Sequence, residues 1–396
     1  MRIRYLLMNG FSTGGTVRTT LQTAAALAER HDVEVVSVYK RRDDAAIPHD
    51  PRLRLRVLVD ESPGALAART GPAGRATEAV RERLRARPSR LVHSGDLRYE
   101  NFSALTDLAL YRYLRTVRTD VLVGTRPGLN LAMARHAPRS IVRVGQDHLH
   151  HGTYGEELRA AMRRLYPRLD LYVTLTERDA EAWRRTLADG PRVVSVPNAV
   201  PDAGAGRSPL TDKVVLAAGR LTWQKGFGRL IPIWRRVAAE HPDWTLRIFG
   251  AGYQEDKLRS LIAEHRLEGT VQLMGHSSRL HDEMRRASIF VMPSRFEGFP
   301  MILLEAMSCG LPPVVYDFRN GARELVTDGV NGRLLPERDA DGMARALSEL
   351  IADEELRRTL AQRAAAAVDD YRLDTIVARW EEIFAELVEA RPDRPR

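Results

Sequence analysis

Cysteine is almost missing from this chain. A single residue, Cys309, excludes an intrachain disulfide and any cysteine-based zinc site. No unbroken apolar run of about 18 residues occurs, so no transmembrane helix is indicated. The opening MRIRYLLMNGFSTGG has too short an apolar run for a signal peptide and reads as a first β-strand. A cytoplasmic location is therefore the expectation. Two phosphate-binding signatures are also absent. No Gly-x4-Gly-Lys-Ser/Thr run marks a P-loop, and the Gly-x-Gly-x-x-Gly spacing of dinucleotide-binding enzymes is missing, which counts against a dehydrogenase. Without a zinc finger, an RNP-type aromatic motif or a helix-turn-helix signature, nucleic acid is not an expected partner.

What is present fits a globular protein of two domains. The chain has 396 residues, 44% hydrophobic and 29% charged. Charge is uneven. Residues 1–200 carry 33 Lys and Arg against 22 Asp and Glu, while the remainder carries 28 against 30, so the whole net charge of +9 sits in the first half. Such a half attracts polyanions such as anionic lipid headgroups or a phosphate-containing polymer, although a general bias towards arginine explains it equally well.

Strands and helices alternate throughout, the pattern of parallel α/β sheets. IRYLLMN, DVEVVSVYK, DVLVGT, IVRVG, LYVTLT and RVVSVPN read as strands of a first domain. KVVLAA, LRIFG, VQLMG, IFVMPS, PPVVYD and GRLLP read as strands of a second. The Pro/Gly/Asp/Ala run after Asn198 marks the boundary. Domains over 1–200 and 201–372 follow, with a helix near Trp380 and a disordered tail over 373–396. Residues 63–90, rich in Ala, Gly and Arg, carry no motif and read as a partly helical surface insertion.

Four constellations carry chemistry. In SRFEGFPMILLEAMSCGLP a strand ends at Ser294, Glu297 lies in a loop, and a helix starts near Pro300, a residue favoured at a first helical position. Glu305 falls about one and a half turns into that helix. A helix N-terminus suits a diphosphate, and carboxylates accept paired hydrogen bonds from vicinal hydroxyls. In AAGRLTWQKGFGRLI, Arg220 and Lys225 follow a strand on one loop and can neutralise a leaving diphosphate, or else are solvated surface charges. In MNGFSTGGTVRTTL, Gly14 and Gly15 would let backbone N–H groups approach a ligand. In VGQDHLHHGTYG, His150 and His151 are adjacent and point apart, so His148 is read as facing a binding cleft rather than a metal. Asp339 and Asp341 match an Asp-x-Asp pattern, but in a polar turn before a helix they read as a cap.

Together these motifs resemble glycosyltransferase family 4, with its GT-B fold. The resemblance runs through GRLTWQKGFGRLI, LRIFGAGYQEDKL, VQLMGH, FVMPSRFEGFPMILLEAMSCGLPPVV and GARELVTDGVNGRLL, in that order. The N-terminal half matches more loosely, through STGGT, TRPGLNLAMARH, VGQDH, LTERD and VPNAV, and the whole looks most like bacterial cell-envelope polymer glycosyltransferases. The resemblance implies two Rossmann-like doubly wound domains facing each other across a cleft. It implies that Glu297 binds the donor sugar, aided by Gly298 and Phe299, with Pro300, Met301 and Ile302 beside the donor, and that Glu305 holds the ribose. Arg220 and Lys225 would bind the diphosphate, Gly14 and Gly15 would approach from the other domain, His148 would meet the sugar, and Gly275-His276 would border the base. Many relatives have glycine where this chain has Pro300.

The implied activity is retaining transfer of a sugar from a nucleotide sugar, with UDP favoured, to a hydroxyl of an acceptor. A glycan, an anionic envelope polymer and a lipid-linked substrate are the acceptor classes considered, with possible contact at the inner face of a membrane. No metal or other cofactor is expected, since cationic side chains and the helix terminus replace a metal in this fold, and Cys309 is expected in the core. The alternatives are an inactive nucleotide-sugar-binding partner subunit and an epimerase or hydrolase on the same scaffold.

Overall fold

The computed structural model describes residues 1–69, 71–200, 206–318 and 321–391, without the side chains of 71–73. Residues 201–205 of the expected linker and 392–396 of the expected tail lie outside the described residues. Two compact units divide the chain, Met1–Ala199 with Ile376–Arg396, and Val200–Thr375.

The first unit is a seven-stranded, wholly parallel sheet in the order β3-β2-β1-β4-β5-β6-β7. Its strands are β1 (Arg2–Leu7), β2 (Asp32–Lys40), β3 (Arg54–Asp60), β4 (Val121–Gly124), β5 (Val142–Gln146), β6 (Leu171–Thr174) and β7 (Arg192–Ser195). The connecting helices are α1 (Gly15–Leu27), α2 (Pro63–Ala67), α3 (Gly71–Arg85), α4 (Ala104–Thr116), α5 (Pro127–His136), α6 (Glu156–Leu165) and α7 (Glu177–Thr186). β4, β5 and β6 are buried along their whole length, as expected of strands covered on both faces. β3 was not among the expected strands. It is an edge strand in which Arg54 and Arg56 alternate with Leu and Val, a period-two signal written in RLRVLVD. Residues 63–90 are helical in part, as expected, since α2 and α3 occupy much of them.

The second unit repeats the design with six parallel strands in the order β10-β9-β8-β11-β12-β13. These are β8 (Val214–Ala218), β9 (Thr245–Phe249), β10 (Val271–Gly275), β11 (Ile289–Met292), β12 (Pro313–Tyr316) and β13 (Arg333–Leu335). Its helices are α8 (Phe227–Glu240), α9 (Glu255–Glu264), α10 (Leu280–Arg285), α11 (Met301–Ser308), α12 (Ala322–Leu325), α13 (Ala340–Ala352) and α14 (Glu354–Ala366). Trp234, Phe227, Leu230 and Leu347 are fully buried where α8 and α13 pack beside the sheet. Asp339 accepts a 2.8 Å hydrogen bond from Gly342 N and caps α13, while Asp341 pairs with Arg236. Cys309 is buried, and burial pushes its thiol up to about 11.

From Ile376 onwards, helix α15 (Leu373–Glu389) belongs to the first unit. Trp380 and Phe384 are buried, with rings 5.1 Å apart. Glu381 bonds His31 at 2.9 Å, and Glu386 bonds Arg192 at 2.6 Å. Among the described residues no helix is long and apolar enough to cross a membrane.

Candidate functional site

In open parallel sheets, ligands bind beyond the strand C-termini where the strand order reverses. In the second unit that point lies between β8 and β11, and the loops leaving these two strands carry the cations and the carboxylate marked in the sequence. Lys225 Nζ donates to Glu297 Oε1 at 2.8 Å, and Ser294 Oγ donates to the same oxygen at 2.6 Å. Gln224 Nε2 reaches Glu297 Oε2 at 3.4 Å and donates to Phe296 O at 2.9 Å. Both side chains of the ion pair are largely buried, 13% exposed for Lys225 and 8% for Glu297.

The backbone holds these loops together. Arg295 N donates to Gln224 O at 2.8 Å, and Arg229 from α8 donates to the carbonyls of Pro293 and Ser294 while stacking on Tyr316 at 4.5 Å. Gly226 has φ +73°, and a Cβ there would lie 2.1 Å from Pro293 O, so only glycine lets the β8 loop approach this closely. Arg220 sits on the same loop, exposed and without an ion pair to any described residue.

The remaining second-unit candidates are spread around this pair. Glu305 is buried in α11, with its carboxylate 3.4 Å from His281 Nε2. Phe299 is buried against Tyr371, ring centroids 6.2 Å apart, so its side chain serves packing. Gly298, Met301 and Ile302 are half-buried. Pro300 is not the first helical residue as expected but the cap before it. Its ψ of 70° is outside the helical range, its carbonyl accepts from Leu303 N at 2.9 Å, and the helix starts at Met301. Gly275 accepts from Gly250 N at 2.7 Å, joining the ends of β9 and β10, and His276 is exposed.

The first unit has its own switch point, between β1 and β4, and a pocket of about 660 Å³ opens there. Gly14, Gly15 and His148 all line it. A Cβ at either glycine would meet nothing within 4 Å, so the space they leave faces the pocket rather than another element. Both ring nitrogens of His148 are shielded from solvent and lack a hydrogen-bond partner among the described residues, and burial pushes the imidazole down to about 4. Neighbouring Asp147 is buried and pushed up to about 6, against the opposing hydrogen bonds from Tyr154 Oη at 2.6 Å and Tyr172 Oη at 2.8 Å. His151 leaves the pocket altogether, with Nε2 2.8 Å from Thr186 Oγ1 and its ring edge-on to Trp183. Among the described residues no group of three or more His, Cys, Asp or Glu forms a metal-ligating cluster.

Sequence reading missed Asp96 and Arg126, which also line this pocket. Arg126 Nε donates to Asp96 Oδ2 at 3.0 Å, and Gly128 N donates to the same oxygen at 2.9 Å. Arg126 follows a strand directly, in TRPG, which is the signal that was available. Asp96 lies in an irregular segment and had none. Also missed was an exposed aromatic group beside Glu297. Trp223 and Phe296 lie 6.3 Å apart, and the Arg295 guanidinium sits 4.4 Å over the indole.

Residues 202–367, nearly all of the second unit, match the family described as glycosyl transferases group 1. An exopolysaccharide phosphotransferase of Streptomyces coelicolor is 37% identical over all of this chain, which spans 42% of that relative. A poly(glycerol-phosphate) alpha-glucosyltransferase of Bacillus subtilis is 24% identical over 69% of the chain and 42% of its own length. The chain thus spans less than half the length of these curated relatives. Among solved structures, Staphylococcus aureus TarM in complex with fondaparinux, alpha-GlcNAc-glycerol and UDP superposes with a TM-score of 0.75 at 14% identity, covering 97% of this chain and 100% of TarM. The fold is GT-B.

Proposed function

We propose that this chain is a retaining glycosyltransferase of family 4 that moves a sugar from a UDP-sugar to a hydroxyl of a cell-envelope polymer or lipid-linked glycan. The observation that carries this reading is the Lys225–Glu297 pair at the second unit's switch point, inside the segment matching glycosyl transferases group 1. The names of the relatives and of the TarM complex support UDP and an envelope polymer.

In this reading the donor diphosphate takes Lys225 and Arg220 as counter-cations, and Glu297, freed from its internal partner, accepts hydrogen bonds from the sugar hydroxyls. Glu305 binds the ribose and Gly275-His276 borders the base, while Gly14, Gly15 and His148 line the first unit's own pocket. The C1–phosphate bond breaks with both electrons going to the phosphate oxygen. The acceptor oxygen attacks the same face of the oxocarbenium-like centre, and its proton passes to the departing phosphate. Arg220 and Lys225 stabilise the separating charge in place of a metal ion.

The name of the Streptomyces relative favours one second reading, transfer of a sugar phosphate. The two differ in the nucleotide product, because glycosyl transfer releases UDP and phosphosugar transfer releases UMP. The test has two parts. Thermal stabilisation by UDP, GDP, ADP and dTDP sugars, repeated with Glu305→Ala, is expected to single out UDP and to shrink in the variant. A ligand at a hundred times its Kd adds about 2.7 kcal/mol. Acceptor-dependent release of UDP is then expected from the purified protein. UMP would establish the second reading, nucleotide binding without product would establish an inactive partner subunit, and turnover without acceptor would indicate an epimerase or hydrolase.

A further inference from the structure

The arginines of the first unit fall into two groups. Some are neutralised, and on the inner side of α3 Arg81 and Arg85 pair with Glu78 while Arg85 also bonds Glu61. The outer side differs. Arg83 on α3, and Arg87 and Arg90 beyond its end, are exposed and have no ion pair among the described residues. Helix α4 packs on α3, and Ala104 N donates to Arg87 O, so the end of one helix is tied to the start of the next. α4 buries Leu105, Leu110, Tyr113 and Leu114 and presents Leu108, Tyr111, Arg112 and Arg115 to solvent. That spacing, i, i+3, i+4 and i+7, is one stripe of a helix. Arg118, two residues past the end of the helix, is again exposed and unpaired among the described residues. The Tyr111 ring stands edge-on to His136 at 5.1 Å, and burial lowers the basicity of that imidazole, with Arg135 and Arg115 lowering it further.

Apolar groups are interleaved with these cations. Val80 is 57% exposed, Leu108 49% and Tyr111 42%. Glu82 is the exposed carboxylate on α3 beside them. A polyphosphate chain would need the guanidinium groups only. Exposed Leu, Val and Tyr side chains among arginines gain free energy where hydrocarbon and anionic headgroups meet, with tyrosine at the boundary between them.

We propose that the α3–α4 face is a docking surface for an anionic lipid bilayer. The surface starts next to the first unit's pocket, since Arg98 and Asn101, which line that pocket, lie just before α4. α4 runs from there towards the opposite edge of the sheet, where Asp120 N donates to Arg2 O at the start of β1, so the face leads away from the pocket from Leu108 to Arg118. The bilayer contact itself does not depend on which group the enzyme transfers.

Flotation of the full chain with vesicles tests it. Binding is expected to phosphatidylcholine vesicles containing about one third phosphatidylglycerol, not to phosphatidylcholine alone, and to fall as salt rises. Arg112→Ala/Arg115→Ala/Arg118→Ala should weaken it about a hundredfold, near a factor of five for each cation removed. Leu108→Ser/Tyr111→Ser should weaken vesicle binding while leaving retention on soluble polyphosphate unchanged. Circular dichroism melting of each variant reports whether it is folded, and replacing Arg87 and Arg90 by alanine offers a second cationic probe beyond the helix. Equal vesicle binding by folded variants and parent would overturn the proposal. So would vesicle binding that survives loss of Leu108 and Tyr111 while following polyphosphate retention, because the face would then serve a soluble polyanion.

Discussion

Lys225 and Glu297 neutralise one another across the β8 and β11 loops, with Nζ 2.8 Å from Oε1 in a largely buried setting. A pair of this kind adds little net stability, but breaking it strands a charge. It also holds in store the two charges that the proposed donor needs separately, a cation for the diphosphate and a carboxylate for the sugar hydroxyls.

Removing one partner should therefore cost more than removing both. Lys225→Ala is expected to destabilise the fold by about 3–5 kcal/mol, and Lys225→Met with Glu297→Gln to recover most of that loss without recovering activity. Arg220→Ala, at an exposed site, should change stability by less than about 0.5 kcal/mol while lowering kcat about 100-fold. Urea midpoints beside turnover rates separate the two effects. A fully active Arg220→Ala would remove this residue from the proposed diphosphate site.

Asp147 and His148 titrate in opposite senses. Asp147 rises from 3.8 to about 6, so between roughly pH 4 and 6 the folded state binds the extra proton and this contribution to stability falls as pH rises. His148 drops from 6.5 to about 4, so across nearly the same window the unfolded state binds the extra proton and this contribution grows as pH rises. In the parent the two largely offset. Relative to it, Asp147→Asn should gain stability as pH rises from about 4 to 6, and His148→Gln should lose stability as pH rises from about 4 to 6.5. Denaturant midpoints at half-unit pH steps would show difference curves of opposite slope, and parallel or flat curves would refute the assignment.

Gly226 should tolerate no side chain. With φ +73° and Pro293 O 2.1 Å from a built Cβ, Gly226→Ala is expected to cost about 2–4 kcal/mol, as left-handed strain adds to a backbone clash. Gly15→Ala is the control, since its Cβ meets nothing within 4 Å. Comparable losses of thermal stability in both variants would show that the two loops are not held this closely.

Local pattern determined the greater part of the fold. Short apolar runs such as VVLAA and IFVM, bounded by turn residues, suit strands covered on both faces, and their alternation with helical stretches pointed to the α/β class. It also marked Glu297, Arg220 and Lys225, since polar groups just beyond an apolar strand lie at its C-terminal edge. β3 was legible in its alternation but is diluted by arginine at the sheet edge. Tertiary structure decided the rest. Sequence spacing cannot say that Lys225, 72 residues away, would close on Glu297 rather than stand free beside Arg220, because β8 and β11 become neighbours only when the crossover chain folds between them. Nor can it find Asp96 beneath Arg126, or show that the arginines of one side of α3 are paired while those of the other are not. Charge neutralisation depends on which carboxylates the fold carries to within a few ångströms, and that is a property of packing, not of chain order.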